Sequence, residues 1–234
     1  MIMVYMNIPF TSIKKTLMSK VIIFGIQDFA ELAHYYLKND SDNEVVGFSV
    51  HKNYMPDNHL FKGLPIIAFE DVESFFPPTE YKFFAPLSPM KMNRVRESIY
   101  NEIKEKGYEM ITYISSKAII FDNKIGDNCF ILEGNVIQPF TSIGNNVVLW
   151  SGNHIGHHSI VDDHVMFTSH VVLSGHCKVG KYCTLGVNST IRDGVTIAEG
   201  TFVGMGACII KDTMSWSMYK GDPSFIANKS TKDF

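Results

Sequence analysis

The feature that most constrains this 234-residue chain is an apolar residue at every sixth position of its second half. Sixteen such positions follow without a break: Ile119, Ile125, Ile131, Ile137, Ile143, Leu149, Ile155, Val161, Phe167, Leu173, Val179, Leu185, Ile191, Ile197, Val203 and Ile209. A fixed short period is typical of a solenoid in which each repeat is one short strand and a turn. Three hexads close one triangular coil, so the period predicts a parallel β-helix with residues 18 apart stacked on one another.

Small residues at a second position of the repeat agree with this prediction. The fifth residue of most hexads is small, and Cys129, Cys177 and Cys183 hold that place, while Cys208 does not. We therefore predict that three cysteines fill the core. Neither the number nor the spacing of the cysteines suggests a disulfide framework, and free thiols in a cytoplasmic protein are the simpler interpretation.

The first half of the chain alternates apolar strand patterns with helical ones. Strands are predicted near residues 20–25, 44–50, 64–69, 81–87 and 108–114, with helices near 28–38, 70–76 and 93–106. Such alternation predicts a small parallel sheet covered by helices. A sheet of this kind binds ligands at the carboxyl ends of its strands.

These patterns divide the chain into four segments. We expect an N-terminal extension or misassigned start at 1–17, an α/β domain at 18–115, the repeat domain at 116–212, and a C-terminal cap and tail at 213–234.

Composition excludes two classes of partner. The net charge is −3 and the isoelectric point is near 6.3, so a broad basic surface for nucleic acid is not expected. No apolar run approaches the ~20 residues that span a membrane. Residues 1–17 contain no long apolar block followed by a cleavage site, so we predict no signal peptide and a cytoplasmic location.

Six of the nine histidines lie between residues 154 and 176. Four of them hold the fourth place of successive hexads: His158, His164, His170 and His176. A spacing of six moves each residue to the next side of the prism, so only His158 and His176 stack directly. For His164 and His170, tolerance of a polar residue in an exposed turn is a sufficient explanation.

His157 differs because the residue one coil above it is Gly175. A base and a backbone N–H then meet across one rung of the helix. Acyl transfer from a thioester needs both, because the base takes a proton from the acceptor and the N–H stabilises the oxyanion. A glycine at position 175 also lets a thioester approach closely.

Three strings carry a resemblance to a known family: GNHIGHH at 152–158, GVNSTIRDG at 186–194 and GDPS at 221–224. With the repeat, they resemble the left-handed β-helix of the hexapeptide acyltransferases. With the α/β domain ahead, the chain is most similar to N-acetyltransferases that act on nucleotide-linked 4-amino-4,6-dideoxyhexoses. The implied setting is bacterial surface-polysaccharide biosynthesis, such as that of O-antigen and lipopolysaccharide.

The resemblance implies a fold, a co-substrate and an assembly. The fold is a small Rossmann-like α/β domain followed by a left-handed parallel β-helix, the co-substrate is acetyl-CoA, and the assembly is a homotrimer with active sites between copies. No metal is expected. His157 takes the position of the catalytic base, and His158 replaces the acidic residue that often orients this base in relatives. The residues expected to line CoA are Gly175, Gly186, Arg192, Gly204 and Lys211.

The resemblance also implies where the nucleotide sugar binds. The residues expected to contact it are Gly25, Gln27, Asp28, Phe29, Val50, Asn93, Asn153 and His154. For Asp28 a simple N-cap is the alternative. The second strand ends without the acidic residues that some uridine-specific relatives carry, which favours a dTDP-sugar.

Three other functions remain open from the sequence. One is an O-acetyltransferase of the sialic-acid type, which tight binding of a nucleoside diphosphate would argue against. Another is a metalloenzyme of the γ-carbonic anhydrase kind with His157, His158 and His176 as ligands, which stoichiometric metal would support. The last is an inactive scaffold, which unchanged turnover after His157→Ala would support.

Overall fold

The computed structural model describes residues 18–224 and residue 232. The predicted extension at 1–17 and most of the tail therefore lie outside the described residues. None of the helices within residues 18–224 is long and apolar enough to cross a membrane.

The first part of the chain is an α/β unit built on one sheet. Its elements are β1 (Lys20–Phe24), α1 (Asp28–Asn39), β2 (Glu44–Val50), β3 (Leu60–Phe61), β4 (Leu64–Ala68), α2 (Val72–Phe75), β5 (Tyr81–Phe84) and α3 (Arg94–Glu105), with short 3-10 turns at Lys52–Tyr54 and Phe69–Asp71. The strand order is β3-β4-β2-β1-β5, and every pair except β3–β4 is parallel. This is the parallel sheet that the strand–helix alternation predicts.

The second part consists of two-residue strands joined by four-residue turns. They are β6 (Tyr113–Ile114), β7 (Ile119–Ile120), β8 (Lys124–Ile125), β9 (Phe130–Ile131), β10 (Val136–Ile137), β11 (Ser142–Ile143), β12 (Val148–Leu149), β13 (His154–Ile155), β14 (Ile160–Val161), β15 (Met166–Phe167), β16 (Val172–Leu173), β17 (Lys178–Val179), β18 (Thr184–Leu185), β19 (Thr190–Ile191), β20 (Thr196–Ile197), β21 (Phe202–Val203), β22 (Cys208–Ile209) and β23 (Met218–Tyr219). They form three parallel sheets, which we call sheet I (β7, β10, β13, β16, β19, β22), sheet II (β8, β11, β14, β17, β20) and sheet III (β6, β9, β12, β15, β18, β21, β23).

The register of these sheets confirms the triangular coil. Ile155 pairs with Leu173 and Val161 pairs with Val179, so partners stand 18 residues apart. The second residue of each strand points into the prism, and every member of the apolar series from Ile131 to Ile209 is buried. A β-sheet alternates its faces residue by residue, which is why the first residue of each strand points outward.

The prediction for Ile119 is wrong. Ile119 is 55% exposed, and the residue that pairs with Ile137 is Ile120. The first coil is one residue shorter than the others, because Ile114 pairs directly with Ile131. The apolar periodicity therefore enters the prism one position later than the sequence suggests.

A further strand lies inside the segment predicted to be the C-terminal cap. β23 pairs with β21, placing Tyr219 beside Val203 at the end of the inward column. Sheet III thus gains one strand after the strict period of six has stopped at Ile209.

The prism corners share one backbone conformation. The fourth residue of every hexad from 128 to 206 has positive φ: Asn128, Gly134, Phe140, Asn146, Gly152, His158, His164, His170, His176, Tyr182, Asn188, Gly194, Gly200 and Gly206. Glycine, asparagine and, to a lesser degree, histidine adopt this left-handed conformation more readily than other residues. The recurring histidines therefore satisfy a backbone requirement as well as any chemical one.

The α/β unit packs on the outer face of sheet III. Outward side chains of that sheet, among them Phe130, Val148 and Met166, share a buried cluster with the sheet and helix α1. Ring contacts link Tyr36 of α1 to Phe130, with centroids 5.9 Å apart. The packing leaves sheets I and II, and the corner between them, free of the α/β unit.

Candidate active site

The predicted base lies at the corner where the chain passes from sheet I to sheet II. His157 follows β13 in the turn 156–159 and is exposed. Its backbone N–H donates to Oε1 of Gln138 in the rung below (2.9 Å), and its carbonyl accepts the N–H of His176 in the rung above (2.9 Å). The backbone of this residue is thus held from both neighbouring coils.

The structure brings His157 and Gly175 together across one rung. A Cβ atom added to Gly175 would lie 2.8 Å from Cε1 and 2.9 Å from Nε2 of His157, and 3.0 Å from Oδ1 of Asp193 in the next rung. Contacts this short are below van der Waals distance, so only glycine fits over the imidazole in this position.

The Gly175 N–H has no hydrogen-bond acceptor among the described residues. The two residues that follow it differ, because the N–H groups of His176 and Cys177 donate to His157 O and Ser159 Oγ. Gly175 therefore offers an available backbone donor next to the imidazole, which is the pairing that thioester chemistry needs.

A second imidazole contacts the first. The Nδ1 atoms of His157 and His158 are 3.0 Å apart, so one of them carries the hydrogen and the other accepts it. When His157 Nδ1 is the donor, its Nε2 has a free lone pair and faces Gly175. In that tautomer His158 orients the base and leaves it able to take a proton.

A third imidazole completes a cluster. His176 stacks on His158 with centroids 4.9 Å apart and planes at 15°, and it meets His157 edge-on at 5.0 Å. Phe140, in the rung below, packs against His158 at 4.7 Å. One nitrogen from each of the three histidines lies within 4.8 Å of the other two. The structure thus brings together the three residues that the metalloenzyme alternative requires.

The residues predicted to line CoA fall at two separate corners. Arg192 is exposed at the corner of His157, one rung above Gly175. Gly186 and Gly204 stack at the opposite edge of sheet I, where a Cβ on Gly186 would lie 2.6 Å from the Met205 nitrogen and 2.8 Å from the Gly204 carbonyl carbon. Lys211 is exposed after β22. Within one copy these residues do not form a single surface with His157.

Four of the residues predicted to bind the sugar nucleotide lie in the turn between β1 and α1. Gly25 has a φ of 110° and donates its N–H to Ser49 O at 2.8 Å. The N-cap alternative for Asp28 is wrong, because Gln27 holds the N-cap position and Asp28 is the first helical residue. Both side chains are exposed, whereas Phe29 packs edge-on against Trp150 of the β-helix at 5.4 Å.

Val50 closes β2 and is buried among the apolar residues between the sheet and the β-helix. His154 lies on the outer face of sheet I between Val136 and Val172 and is half-buried. Both lie near strand ends or outer faces, but neither contacts the histidine cluster in the listed ring or hydrogen-bond contacts of the described chain.

The expectation for Asn93 is not met. Its side chain is completely buried, donates to the Tyr182 carbonyl (3.1 Å) and Thr184 Oγ1 (3.0 Å), and accepts from Arg96 Nη1 (2.8 Å). Arg96 also donates to Asn146, and burial lowers the pKa of its guanidinium to about 10. These two residues fix α3 to the β-helix, which leaves no donor of Asn93 for a substrate.

The expectation for Asn153 is not met either. It is buried inside the prism, where its Nδ2 donates to Asn135 Oδ1 (3.0 Å) and its Oδ1 accepts the Val171 N–H (2.8 Å). This asparagine belongs to an internal ladder that satisfies backbone groups at the turn between sheets III and I. Its proximity to His157 in sequence is therefore not proximity in the site.

Sequence reasoning missed three residues that share the corner of His157. They are Gln138, Phe140 and Asp193. A signal for two of them was present, because Phe140 precedes His158 by 18 residues and Asp193 follows Gly175 by 18.

Comparisons with known proteins define the class of this chain. The family model described as Bacterial transferase hexapeptide (six repeats) matches residues 124–157. No curated protein gives a match. The repeat identified from the sequence is thus the transferase hexapeptide, in the segment that ends at His157.

Solved structures share the whole architecture. PerB from Caulobacter crescentus, solved with CoA and GDP-perosamine, has a TM-score of 0.75 at 19% identity over 90% of this chain and 98% of that one. The acetyltransferase domain of PglB from Neisseria gonorrhoeae has a TM-score of 0.74 at 18% identity, covering 87% and 97%. WeeI from Acinetobacter baumannii has a TM-score of 0.67 at 19% identity, covering 89% and 100%. These likenesses confirm the predicted fold, an α/β unit followed by a left-handed β-helix.

Proposed function

We propose that this chain transfers an acetyl group from acetyl-CoA to the amine of a nucleotide-linked amino sugar, a 4-amino-4,6-dideoxyhexose. The observation that carries the proposal is the His157 imidazole facing the available N–H of Gly175 across one rung. A general base and an oxyanion donor in this arrangement suit attack on a thioester.

The two substrate classes are supported by proteins of the same fold. PerB was solved with CoA and GDP-perosamine, and the PglB acetyltransferase domain was solved with acetyl-CoA. Both extend over nearly the same segments of this chain as the α/β unit and the β-helix together. An activated amino sugar gives the α/β unit a role, which the metalloenzyme and scaffold alternatives do not.

The transfer balances with one base. The sugar amine attacks the thioester carbon as His157 Nε2 takes its proton, and the Gly175 N–H donates to the oxygen of the tetrahedral intermediate. Collapse of the intermediate breaks the C–S bond, and the imidazolium returns its proton to the thiolate. The products are the N-acetylated sugar nucleotide and CoA.

His158 supports the base in this mechanism. Its Nδ1 accepts the hydrogen of His157 Nδ1 and so keeps Nε2 available. A neutral imidazole supplies less charge than a carboxylate would for stabilising the imidazolium. We therefore assign His158 a positioning role with a smaller energetic contribution than an acidic residue would make.

The active site is proposed to form between copies of the chain in a homotrimer. In one copy, Gly186 and Gly204 lie at the edge of sheet I opposite to the His157 corner. A neighbouring copy that presents this edge to the His157 corner would bring the two groups of predicted CoA residues onto one groove. The α/β unit packs on sheet III and leaves both edges of sheet I accessible for this contact.

The nucleotide is proposed to bind at the carboxyl end of the α/β sheet. The β1–α1 turn presents free backbone N–H groups at the start of a 12-residue helix, which suits a pyrophosphate. We favour dTDP as the nucleotide because β2 ends in Val50 and His51 without an acidic residue. His51 there is held by Glu70 (3.4 Å) and Glu102 (3.2 Å).

The experiment is an acceptor panel with acetyl-CoA and release of free thiol as the readout. dTDP-, UDP- and GDP-linked 4-amino-4,6-dideoxyhexoses are compared with the free amino sugar and with sialic acid. We expect turnover with a nucleotide-linked amine, highest for dTDP, and at least ~100-fold less for His157→Asn. Turnover confined to sialic acid would instead establish the O-acetyltransferase alternative, and no thiol release with any acceptor would contradict the proposal.

A further inference from the structure

The three histidines at the sheet I–II corner have a geometry that acyl transfer does not require. Their ligand nitrogens lie within 4.8 Å of one another, and among the described residues this is the one group of three or more His, Cys, Asp or Glu side chains that meets this condition. His157 and His158 suffice for the proposed base and its orientation. His176 stands outside that transfer, so its place in the cluster needs a separate explanation.

We propose that His157, His158 and His176 form a three-imidazole site for a zinc-class divalent cation, and that the bound ion inhibits the enzyme by occupying the base. The inhibitory part rests on the proposed function. The binding part rests on the geometry of the three side chains alone.

The spacing of the nitrogens fits such an ion. Tetrahedral coordination at Zn–N distances of ~2.0–2.1 Å places ligand nitrogens ~3.4 Å apart. The Nδ1 atoms of His157 and His158 are already 3.0 Å apart, and the rings of His158 and His176 stack at 4.9 Å. Small side-chain rotations are therefore enough to bring three nitrogens onto one ion.

The backbone beneath these side chains is rigid. His158 and His176 both occupy left-handed corner positions with φ of 56°, one directly above the other. The carbonyl of His157 accepts the N–H of His176, which ties the two rungs together at this point. Coordination therefore needs no rearrangement of the chain.

The donor set and its exposure determine the class of ion. Three neutral imidazoles favour zinc, copper and nickel over magnesium or calcium, which prefer oxygen ligands. All three side chains are exposed, so an ion can enter from solvent and keep water or a substrate group in its fourth position. Coordination through His157 removes the lone pair that acyl transfer would use.

The test uses the full chain with Co²⁺ as a spectroscopic probe and Zn²⁺ as a competitor. We expect one equivalent of Co²⁺ per chain, with visible absorption typical of tetrahedral sites, displaced by Zn²⁺. His176→Gln should weaken binding at least ~10-fold, since loss of even an outer-shell partner costs that much in metal sites. His170→Gln is the matched control, because His170 is an exposed left-handed corner histidine on another edge of the prism.

The activity arm separates this inference from the proposed function. Zn²⁺ should inhibit acetyl transfer by wild type and His170→Gln, chelation should restore it, and His176→Gln should keep basal turnover while resisting inhibition. Equal Co²⁺ affinity in wild type and His176→Gln would overturn the site. Transfer that continues with the site filled would overturn the inhibition. Three-histidine binding in a protein without transferase activity would contradict the proposed function and leave the site supported.

Discussion

His157 Nε2 lies 2.9 Å from the point that a Cβ atom on Gly175 would occupy. Gly175 has no left-handed φ, so Gly175→Ala is compatible with its backbone and acts by displacing the imidazole. Because misplacement of a catalytic group by ~1 Å can cost ~100-fold, we expect turnover to fall by about that factor. Steady-state kinetics measures the effect, and an unchanged circular dichroism spectrum shows that the fold persists.

Ser174→Ala is the control for that substitution. Ser174 precedes Gly175 in the same turn, and its carbonyl rather than its hydroxyl is engaged, accepting from Ser159 Oγ at 3.3 Å. Wild-type turnover is expected for this variant. Normal kinetics in Gly175→Ala would show that thioester chemistry does not take place at this rung.

The His157 side chain is exposed, which separates its chemical role from stability. We expect His157→Asn to lower turnover at least ~100-fold with little change in melting temperature, because no buried contact is lost. A loss smaller than about threefold would retire the assignment of the base.

His158 offers a graded test of the positioning role. His158→Ala removes the acceptor for His157 Nδ1, and we expect about a tenfold fall in turnover. His158→Glu restores an acceptor and adds negative charge, so its turnover should equal or exceed that of wild type. The ratio of the two variants, measured at saturating substrate, is the relevant number. Equal turnover in both would mean that position 158 does not orient the base.

Asn93 provides a test of the contact between α3 and the β-helix. Asn93→Gly keeps the positive φ of 62° but loses three buried hydrogen bonds, which should cost about 2 kcal/mol. Asn93→Ala adds backbone strain of about 1 kcal/mol. Denaturant unfolding measures both values. A raised KM with unchanged stability would instead support the substrate contact that the sequence suggested.

Asp40 gives a pH dependence with a defined sign. Hydrogen bonds from Ser116 and Tyr113 lower the pKa of this carboxyl group to about 2, and they tie the end of α1 to the start of the β-helix. A lowered pKa means that the stabilisation is complete above pH ~4 and is lost as the pH falls toward 2. We expect the melting temperature of Asp40→Asn to lie below that of wild type at pH 7.

The difference for Asp40→Asn should narrow between pH 4 and pH 2. Asp42→Asn, two residues on at an exposed position, is the control and should follow wild type across this range. A constant difference between Asp40→Asn and wild type down to pH 2 would show that the carboxyl group is not held in its charged form.

The β-helix could be predicted from the sequence because its core repeats. Ile155 and Leu173 pair at the predicted spacing, and the same arithmetic placed His157 beneath Gly175. It failed at Ile119 because a coil one residue shorter leaves the apolar pattern intact while it shifts the register. A sequence pattern reports which residues are apolar but not which of two adjacent isoleucines faces inward.

The roles of the asparagines could not be predicted in the same way. Asn93 and Asn153 look like surface residues near a ligand, yet both are buried and bonded to backbone groups of distant rungs. Their partners become neighbours only after the chain has coiled, and polarity alone does not distinguish a substrate contact from an internal ladder. The cluster with His176 escaped a confident prediction because three hexads separate it from His158.

The left-handed residue at each corner has a consequence for the engineering of this architecture. Because the same conformation returns every 18 residues along an edge, a constellation such as 157, 158 and 175 is portable in steps of one full turn. Transplanting its side chains one storey up, to 175, 176 and 193, would keep every backbone angle compatible. Reactive groups on such a scaffold can thus be moved vertically relative to a bound cofactor, much as a shelf is moved on a rack.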